Sequence, residues 1–518
     1  MNRLPDADQP ISPPPRSTWR RWIPPLYPLA FPVAIVVLVW SSSQVHPAAL
    51  VRPLAITVVL GIALTVLLGL VTRDRDRGGL LAAFLMAALY APDDRLMVAL
   101  LVATAIVLLD ALIRRQRRLF GPRAVRIATA VAVVIAIATT LKLFQDDTIA
   151  RAVGEVAADR TGRTVGVADP AAPDVYLIVL DAYPGSRAGA MATGFDWEAF
   201  PTALEHRGFA VARDSHSNYT FTAQTIASMF SMRHLADLPA LDPPWFGNAS
   251  DGRRLREAMG DGAALAEFAS RGYRLVAIPS GFDHADLHRV DRRIEPAGPT
   301  ELEVAMLRLL PVGDVIERVV PDLISSLHRG RLDDSIRIVE QLAGEASDQP
   351  RFVYAHLPFP HAPWVFGPGG EHRTVGLTSF YSDDPADLGV DRATAFARAA
   401  DQATYVGGVV TTLVDRILAT SERAPVIIVM SDHGTGVGLD AGDAEASDLT
   451  ERFSNFLGVY APGRPDLLRD GLTPVNLLTR VINQYLGATL PETDDGTYAW
   501  GSGVLDVRPV APVADWRR

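Results

Sequence analysis

The sequence predicts an α/β domain with a mainly parallel sheet, preceded by a bundle of five membrane-crossing helices. Three observations predict it. At 518 residues the chain exceeds what one hydrophobic core supports, so at least two parts are expected. Hydrophobic residues make up 48% while charged residues still make up 21%, the mixture of a membrane part and an ordinary globular part. The pattern also changes along the chain. Long apolar runs stop near Phe144, and from about Ala171 short apolar, β-rich runs alternate with amphipathic helical stretches.

Residues 1–22 are proline-rich and polar, with Arg16, Arg20 and Arg21 just ahead of the first apolar run, and read as a cytoplasmic tail. Apolar runs come next at Ile23–Trp40, Pro53–Val71, Gly78–Ala91, Leu96–Ile113 and Ile127–Phe144. A helix needs about 20 apolar residues to cross the hydrocarbon core, and the third run is short of that. The loops at Arg73–Arg77 and Arg114–Arg126 are arginine-dense while the alternate loops are not, so both, with the tail, are expected on the cytoplasmic side. That requires the third run to cross as well. The expected organisation is a tail at 1–22, a membrane domain at 23–144, a linker at 145–170 and a catalytic domain at 171–510 outside the membrane. The first run lacks a small-residue cleavage site and is succeeded by further runs, which argues against a cleaved signal peptide.

The absence of cysteine excludes disulfides, thiolate metal sites and a cysteine nucleophile. Any metal must be held by oxygen and imidazole. A net charge of −10 leaves no basic footprint for nucleic acid.

Candidate strands are Val175–Leu180, Tyr273–Ile278, Phe352–Ala355 and Val426–Met430, each a continuous apolar run of the kind buried on both faces. The residues at their carboxyl ends carry the chemistry. Asp181 comes directly after the first strand, His356 and His361 after the third, and Asp432 with His433 after the fourth. Ligands collect at the carboxyl ends of strands in open α/β sheets, so these groups are expected to form one site. Asp181, Asp432 and His433 supply a hard oxygen and nitrogen donor set suited to one divalent ion, Zn²⁺ or Mn²⁺.

Such a site needs an oxygen nucleophile to attack a phosphate or sulfate ester. The segment Ser217–Ser231 is rich in hydroxyls and precedes an apolar helical turn, and a hydroxyl at a helix amino terminus gains from the positive end of the dipole. Composition does not choose among Thr220, Thr222 and Thr225. His216, His234, His284, His288 and His372 read as surface or loop residues. The amphipathic segment Glu301–Arg329 reads as a packed insertion, or as a surface that lies against the membrane or lids a lipid substrate.

Taken together, Val175–Asp181, the loop His356–Pro363 and Val426–Gly434 with its Ser431-Asp432-His433-Gly434 resemble, in the same chain order, motifs of the alkaline phosphatase and sulfatase superfamily. The hydroxyl segment is similar to the nucleophile region of bacterial lipid A phosphoethanolamine transferases. Met229-Phe230-Ser231 fixes the register, which puts the nucleophile at Thr222. Those transferases and the lipoteichoic acid synthases also carry five spans before an extracytoplasmic domain, so the resemblance covers nearly the whole chain.

The resemblance implies a sulfatase-like fold in the bacterial inner membrane, with Asp181, Thr222, Asp432 and His433 around one metal ion. His361 is then expected near the transferred group and His356 in support. It implies transfer of a phospho-alcohol, of phosphoethanolamine or phosphoglycerol type, from a membrane phospholipid to an envelope glycan or glycolipid through a phospho-threonine. A phosphodiesterase or phosphatase, and an inactive envelope binding protein, are the alternatives. The chain departs from the family in two places. Asp181 stands where the transferases usually have glutamate, and no histidine comes after His433, where Arg452 and Asn455 are the candidates to replace a late histidine. Ser12-Pro13-Pro14-Pro15-Arg16 matches the sulfatase nucleophile pattern but lies in the tail, ahead of every span.

Overall fold

The computed structural model describes residues 25–43, 45–113, 122–146, 148–159, 163–185, 195–238, 250–377, 388–440, 446–500 and 507–510. Residues 1–22, read as a cytoplasmic tail, and most of the second arginine-dense loop lie outside them. The chain divides into two units, one of Met1–Val37 with Arg52–Lys142 and one of Leu38–Val51 with Leu143–Arg518.

The helices of the amino-terminal part are α1 (Ala30–Ser43), α2 (Ala48–Thr72), α3 (Arg75–Leu89), α4 (Asp94–Ile113) and α5 (Pro122–Gln145). Among the described residues, Ala48–Thr72 and Arg123–Gln145 are long and apolar enough to cross a membrane, and Tyr27–Ser43 is a shorter apolar helix. These helices expose Ile56, Leu67, Ile127 and Ile137, side chains that water would not tolerate in such density. α3 starts where the Asp74 carboxylate accepts the N–H groups of Asp76 and Arg77 at 3.0 and 3.3 Å. It lies directly on α2, for a Cβ on Gly78 would sit 2.3 Å from the Gly69 nitrogen. Small residues let two helix backbones approach in this way.

The second unit continues with α6 (Thr148–Asp159), β1 (Val175–Leu180), α7 (Ala199–Glu205), β2 (Ala210–Val211), α8 (Thr222–Ser231), α9 (Ser250–Gly260), α10 (Ala263–Ser270), β3 (Arg274–Ile278) and β4 (Arg292–Arg293). After these come α11 (Glu301–Leu309), α12 (Pro311–Val319), α13 (Leu323–Gly344), β5 (Arg351–Leu357), α14 (Arg392–Thr420), β6 (Val426–Met430), α15 (Leu449–Phe453), β7 (Leu457–Tyr460), α16 (Pro474–Leu486), β8 (Thr497–Trp500) and β9 (Val507–Val510). A seven-stranded sheet runs β2-β7-β6-β1-β5-β3-β4, and β8 and β9 form a separate hairpin. β1 pairs in parallel with both β5 and β6, and β3 with β4 and β5, while β7 and β2 close one edge antiparallel.

β1 shows why the sheet is buried on both faces. Val175, Leu177 and Val179 join one core with Ile226, Phe230 and Phe268, whereas Tyr176, Ile178 and Leu180 join the other with Val406, Val410 and Leu413. The two-residue strand period sends alternate side chains into opposite layers, so an uninterrupted apolar run is required. β1 and β6 occupy the ranges expected from the sequence.

Two of the histidines read as surface or loop residues, His234 and His288, lie in loops, but with buried side chains. His234 is 3% exposed, under Tyr219 and Tyr498. Asp283 is the hub of another buried cluster. Its carboxylate accepts the His46 N–H at 2.7 Å, Arg256 Nη1 at 2.9 Å and His288 Nε2 at 2.8 Å, and Arg256 also pairs with Glu155 at 3.3 Å. The His46 and His288 rings stack at 3.9 Å. Burial pushes the Asp283 carboxyl up, but His288, Arg256 and the His46 N–H together hold it well below the ordinary carboxylate range.

A depressed folded pKa means stability that is present above the unfolded value, about 3.9, and is lost as the pH falls below it. Asp283→Ala is expected to destabilise the full chain by about 3–5 kcal/mol at pH 7, because three donors lose their acceptor and the Arg256 charge is left buried. In thermal unfolding of detergent-solubilised protein, the gap between wild type and variant should narrow below pH 4. A gap that stays constant with pH would remove the ionised carboxylate as its cause.

Candidate active site

The site is assembled where β1, β5 and β6 end on the same edge of the sheet. β1 delivers Asp181, and the chain then turns through Ala182, whose φ of +62° lies in the left-handed region that alanine avoids. That turn aims the Ala182 N–H at Asp432 Oδ1, 3.1 Å away. The same oxygen accepts the His433 N–H at 3.0 Å. Ser431 anchors the end of β6, donating to the Tyr183 carbonyl at 2.6 Å and accepting the Phe456 N–H at 2.7 Å. Gly434 is required next, because a Cβ there would lie 1.9 Å from the Glu451 carbonyl oxygen of α15.

His433 Nδ1 lies 2.9 Å from the Gly434 carbonyl, an acceptor, so Nδ1 carries the proton and Nε2 the lone pair. That Nε2 meets Thr222 Oγ1 at 2.9 Å, Asp432 Oδ2 at 3.2 Å and Asp181 Oδ1 at 3.9 Å. Thr222 is the first residue of α8. Its amino end is set by Gln224, whose Oε1 accepts the Phe221 N–H at 3.3 Å. The hydroxyl therefore sits where the helix dipole favours negative charge. The neighbouring threonines point elsewhere. Thr225 Oγ1 donates to the Tyr219 carbonyl at 3.3 Å, and the buried Thr220 hydroxyl has no hydrogen-bond partner among the described residues.

β5 carries His356, fully buried, with Nε2 3.5 Å from Asp181 Oδ2 and with neither ring nitrogen in a hydrogen bond among the described residues. The loop beyond it holds His361, whose N–H donates to the Asp181 carbonyl at 2.9 Å and whose Nδ1 faces the Ala362 carbonyl at 2.7 Å. Gln402 of α14 fixes this loop. Its amide donates to the carbonyls of Pro360, His361 and Pro363, and its Oε1 accepts the N–H groups of Val365 and Phe366. No sequence motif announces Gln402, a polar residue in mid-helix whose partners lie about 40 residues earlier.

The donor chemistry fits a divalent cation. Ligand atoms of Asp181, His356 and Asp432 lie within 4.8 Å of one another, and all three residues are buried. Asp181 Oδ1 and Asp432 Oδ2 accept no hydrogen bond from the described residues, a costly arrangement for buried carboxylates that a bound cation offsets. Burial raises the Asp181 carboxyl, but His361, His356 and His433 outweigh it and bring its pKa to about 2. His356 is in turn raised, Asp181 prevailing over burial.

Asp181, Thr222, His356, Asp432 and His433 are thus brought together, with His361 against Asp181. His356 stands closer to the carboxylates than a supporting role requires. Arg452, 1% exposed, is also in the site, with Nη2 3.2 Å from His433 Nε2 and Nε donating to the Thr220 carbonyl at 2.6 Å. Asn455 is not. It holds the scaffold, accepting from Ser215 at 2.7 Å and donating to the Ser431 carbonyl at 3.0 Å.

Neither a family model nor a curated protein matches the chain. Similar solved structures do exist. The integral membrane lipooligosaccharide phosphoethanolamine transferase A of Neisseria meningitidis is 12% identical, with 87% of this chain and 95% of that one covered at a TM-score of 0.37. The C-terminal periplasmic domain of EcEptC from Escherichia coli, in complex with Zn, is 10% identical over 63% of this chain and 89% of that one, TM-score 0.38. A sulfatase of glycosaminoglycan metabolism from Bacteroides thetaiotaomicron is 14% identical over 65% and 83%, TM-score 0.41. The solved structures to which this chain is similar thus include both phosphoethanolamine transferases and sulfatases.

Proposed function

We propose that the chain is a metal-dependent enzyme of the alkaline phosphatase and sulfatase superfamily, held in the bacterial inner membrane by five helices with its catalytic domain outside. It transfers a phospho-alcohol, such as phosphoethanolamine or phosphoglycerol, from a phospholipid to an envelope glycan or glycolipid. The observation that carries this reading is Thr222 Oγ1 at the amino end of α8, 2.9 Å from His433 Nε2 and beside two buried carboxylates with unused oxygens. Apolar helices in the same chain support a lipid donor, since spans would tether the catalytic domain to a bilayer that holds such donors.

Asp181, His356, Asp432 and His433 would hold the cation, and Thr222 would face it. Bound there, the ion supplies Lewis-acid stabilisation of charge on the transferring group. The rest is done by the chain. Thr222 Oγ attacks phosphorus, its proton leaving to solvent, and the bond from phosphorus to the lipid alcohol breaks. His361 gives that departing oxygen a proton. The phosphodiester left on Thr222 is then attacked by an acceptor hydroxyl, whose proton returns to His361 as Thr222 departs. Arg452 places a fixed cation against the site to stabilise the anionic group.

Trapping and weighing the intermediate tests this. Full-length protein incubated with phospholipid and no acceptor should gain the mass of one phospho-alcohol on the peptide containing Thr222, and lose it when acceptor is added. An adduct that forms and is discharged equally fast without acceptor would make the enzyme a phosphodiesterase. No adduct at all would overturn the proposal.

A further inference from the structure

The globular unit carries one cluster of apolar side chains that its core does not use. Among the described residues beyond Phe144, nine large hydrophobic side chains are exposed, and six of them are Leu309, Val315, Val319, Val320, Leu323 and Leu327. Val319 is 73% exposed and Leu309 59%. They come from one continuous stretch, the end of α11, all of α12 and the start of α13. Val315 and Val319 are four residues apart on α12, as are Leu323 and Leu327 on α13, so each pair shares a helix face. α12 has Gly313 as its sole buried residue, so the domain's interior gains almost nothing from this helix. A water-facing domain does not leave such a cluster bare without a partner.

Three observations say what the partner is. The same chain has helices of membrane-crossing length and composition, Ala48–Thr72 and Arg123–Gln145, which the proposed function takes as spans of a bilayer. The three remaining exposed hydrophobics, Val153, Val165 and Val167, all lie in the stretch directly after the last of those helices. Exposed arginines flank the apolar residues, Arg308 in the last turn of α11 and Arg318 in the last turn of α12, where a guanidinium can reach lipid phosphate while the helix lies flat.

The patch also adjoins the catalytic loop. α13 leads into β5, so its amino end reaches the sheet edge where the site is built. His328, next to Leu327, packs its ring 4.7 Å from that of Phe359, two residues before His361.

We propose that the exposed face of α11, α12 and the first turns of α13 lies in the interfacial layer of the bilayer that anchors the chain, with phospholipid as its occupant. This rests on the proposed function in taking the chain as membrane-spanning and its donor as a lipid. The face presents a headgroup to the His361 loop without the lipid leaving the membrane.

The chain has no cysteine, so single labels are clean. Val319→Cys, Leu323→Cys and, as control, Asp348→Cys just before β5 are labelled with an environment-sensitive fluorophore. The full-length proteins are then reconstituted in phospholipid vesicles containing doxyl-labelled lipid. Emission from 319 and 323 should be quenched several-fold more than from 348. Quenching no stronger than the control would overturn the proposal. So would energy transfer between copies labelled at 319 that survives dilution with lipid, which would make a second copy the occupant.

This readout needs no turnover, so it stands apart from any failure of the catalytic assignment. In an active preparation, Val319→Asp combined with Leu323→Asp should slow turnover of phospholipid about tenfold, the effect of roughly 1.4 kcal/mol of lost lipid binding, and leave a soluble aryl phosphodiester unaffected. Equal loss on both substrates would count against it.

Discussion

Replacing Asp432 with asparagine is expected to leave the chain folded and to remove its response to divalent metal. One carboxylate oxygen, Oδ1, accepts the N–H groups of Ala182 and His433, and the other, Oδ2, accepts nothing from the described residues and lies 3.2 Å from His433 Nε2. An asparagine oxygen can keep both backbone bonds, and its amide can then donate toward the imidazole lone pair. Only the charge that holds a cation is lost. Asp432→Ala is the poorer probe, since it also strands two buried N–H donors at about 1–3 kcal/mol each.

The wild-type Tm should rise with Zn²⁺ or Mn²⁺ and fall with a chelator, because a ligand at 100 times its Kd stabilises by about 2.7 kcal/mol. The Tm of the variant should ignore both. Its turnover should drop by at least about 10³-fold, the scale of losing a preorganised electrostatic stabiliser. Metal raising both proteins alike would place the cation elsewhere.

The parts of this site that are legible in the sequence are those where local pattern and position coincide. Strands β1 and β6 are buried on both faces, so their apolar runs are unbroken, and the polar residue that ends each run has to lie at the sheet edge. Asp181, Asp432 and His433 are found that way. The antiparallel β7 is not legible, since four residues including Gly458 give no alternation to read.

Burial decides the rest. Gln402 is polar in the middle of α14, and nothing nearby in sequence reveals that it staples the His361 loop. Arg452 lies just after an aspartate-capped helix start, so packing at a helix end describes it equally well until His433 is seen 3.2 Å away. His234 and His288 do lie in loops, as read, but their burial is not legible: His234 meets the Asp494 carbonyl 260 residues away, and the Asp283 that holds His288 is itself buried only by Arg256 and His46 arriving from elsewhere in the chain.

Thr222→Ala is expected to abolish the covalent adduct and to lower turnover by about 10⁴-fold or more, the scale on which loss of a nucleophile is felt. Three threonines share this stretch, and the geometry separates them by what each hydroxyl faces. Thr222 Oγ1 faces His433 Nε2 at 2.9 Å, Thr225 Oγ1 faces a carbonyl and Thr220 Oγ1 forms no hydrogen bond with the described residues.

Thr222→Ser keeps a hydroxyl at the first position of α8 and should retain measurable turnover and the adduct. Thr220→Ala, which removes no hydrogen bond seen among the described residues, should leave both unchanged. Stability should barely respond to Thr222→Ala, since His433 keeps its bond to the Gly434 carbonyl and its contact with Arg452, so an unchanged Tm rules out unfolding as the cause of lost activity. If Thr220→Ala were the silent enzyme and Thr222→Ala the active one, the nucleophile would lie two residues ahead of α8. The attacking hydroxyl would then have to reach the carboxylates from Thr220, which lies before the helix and whose Oγ1 forms no hydrogen bond with the described residues.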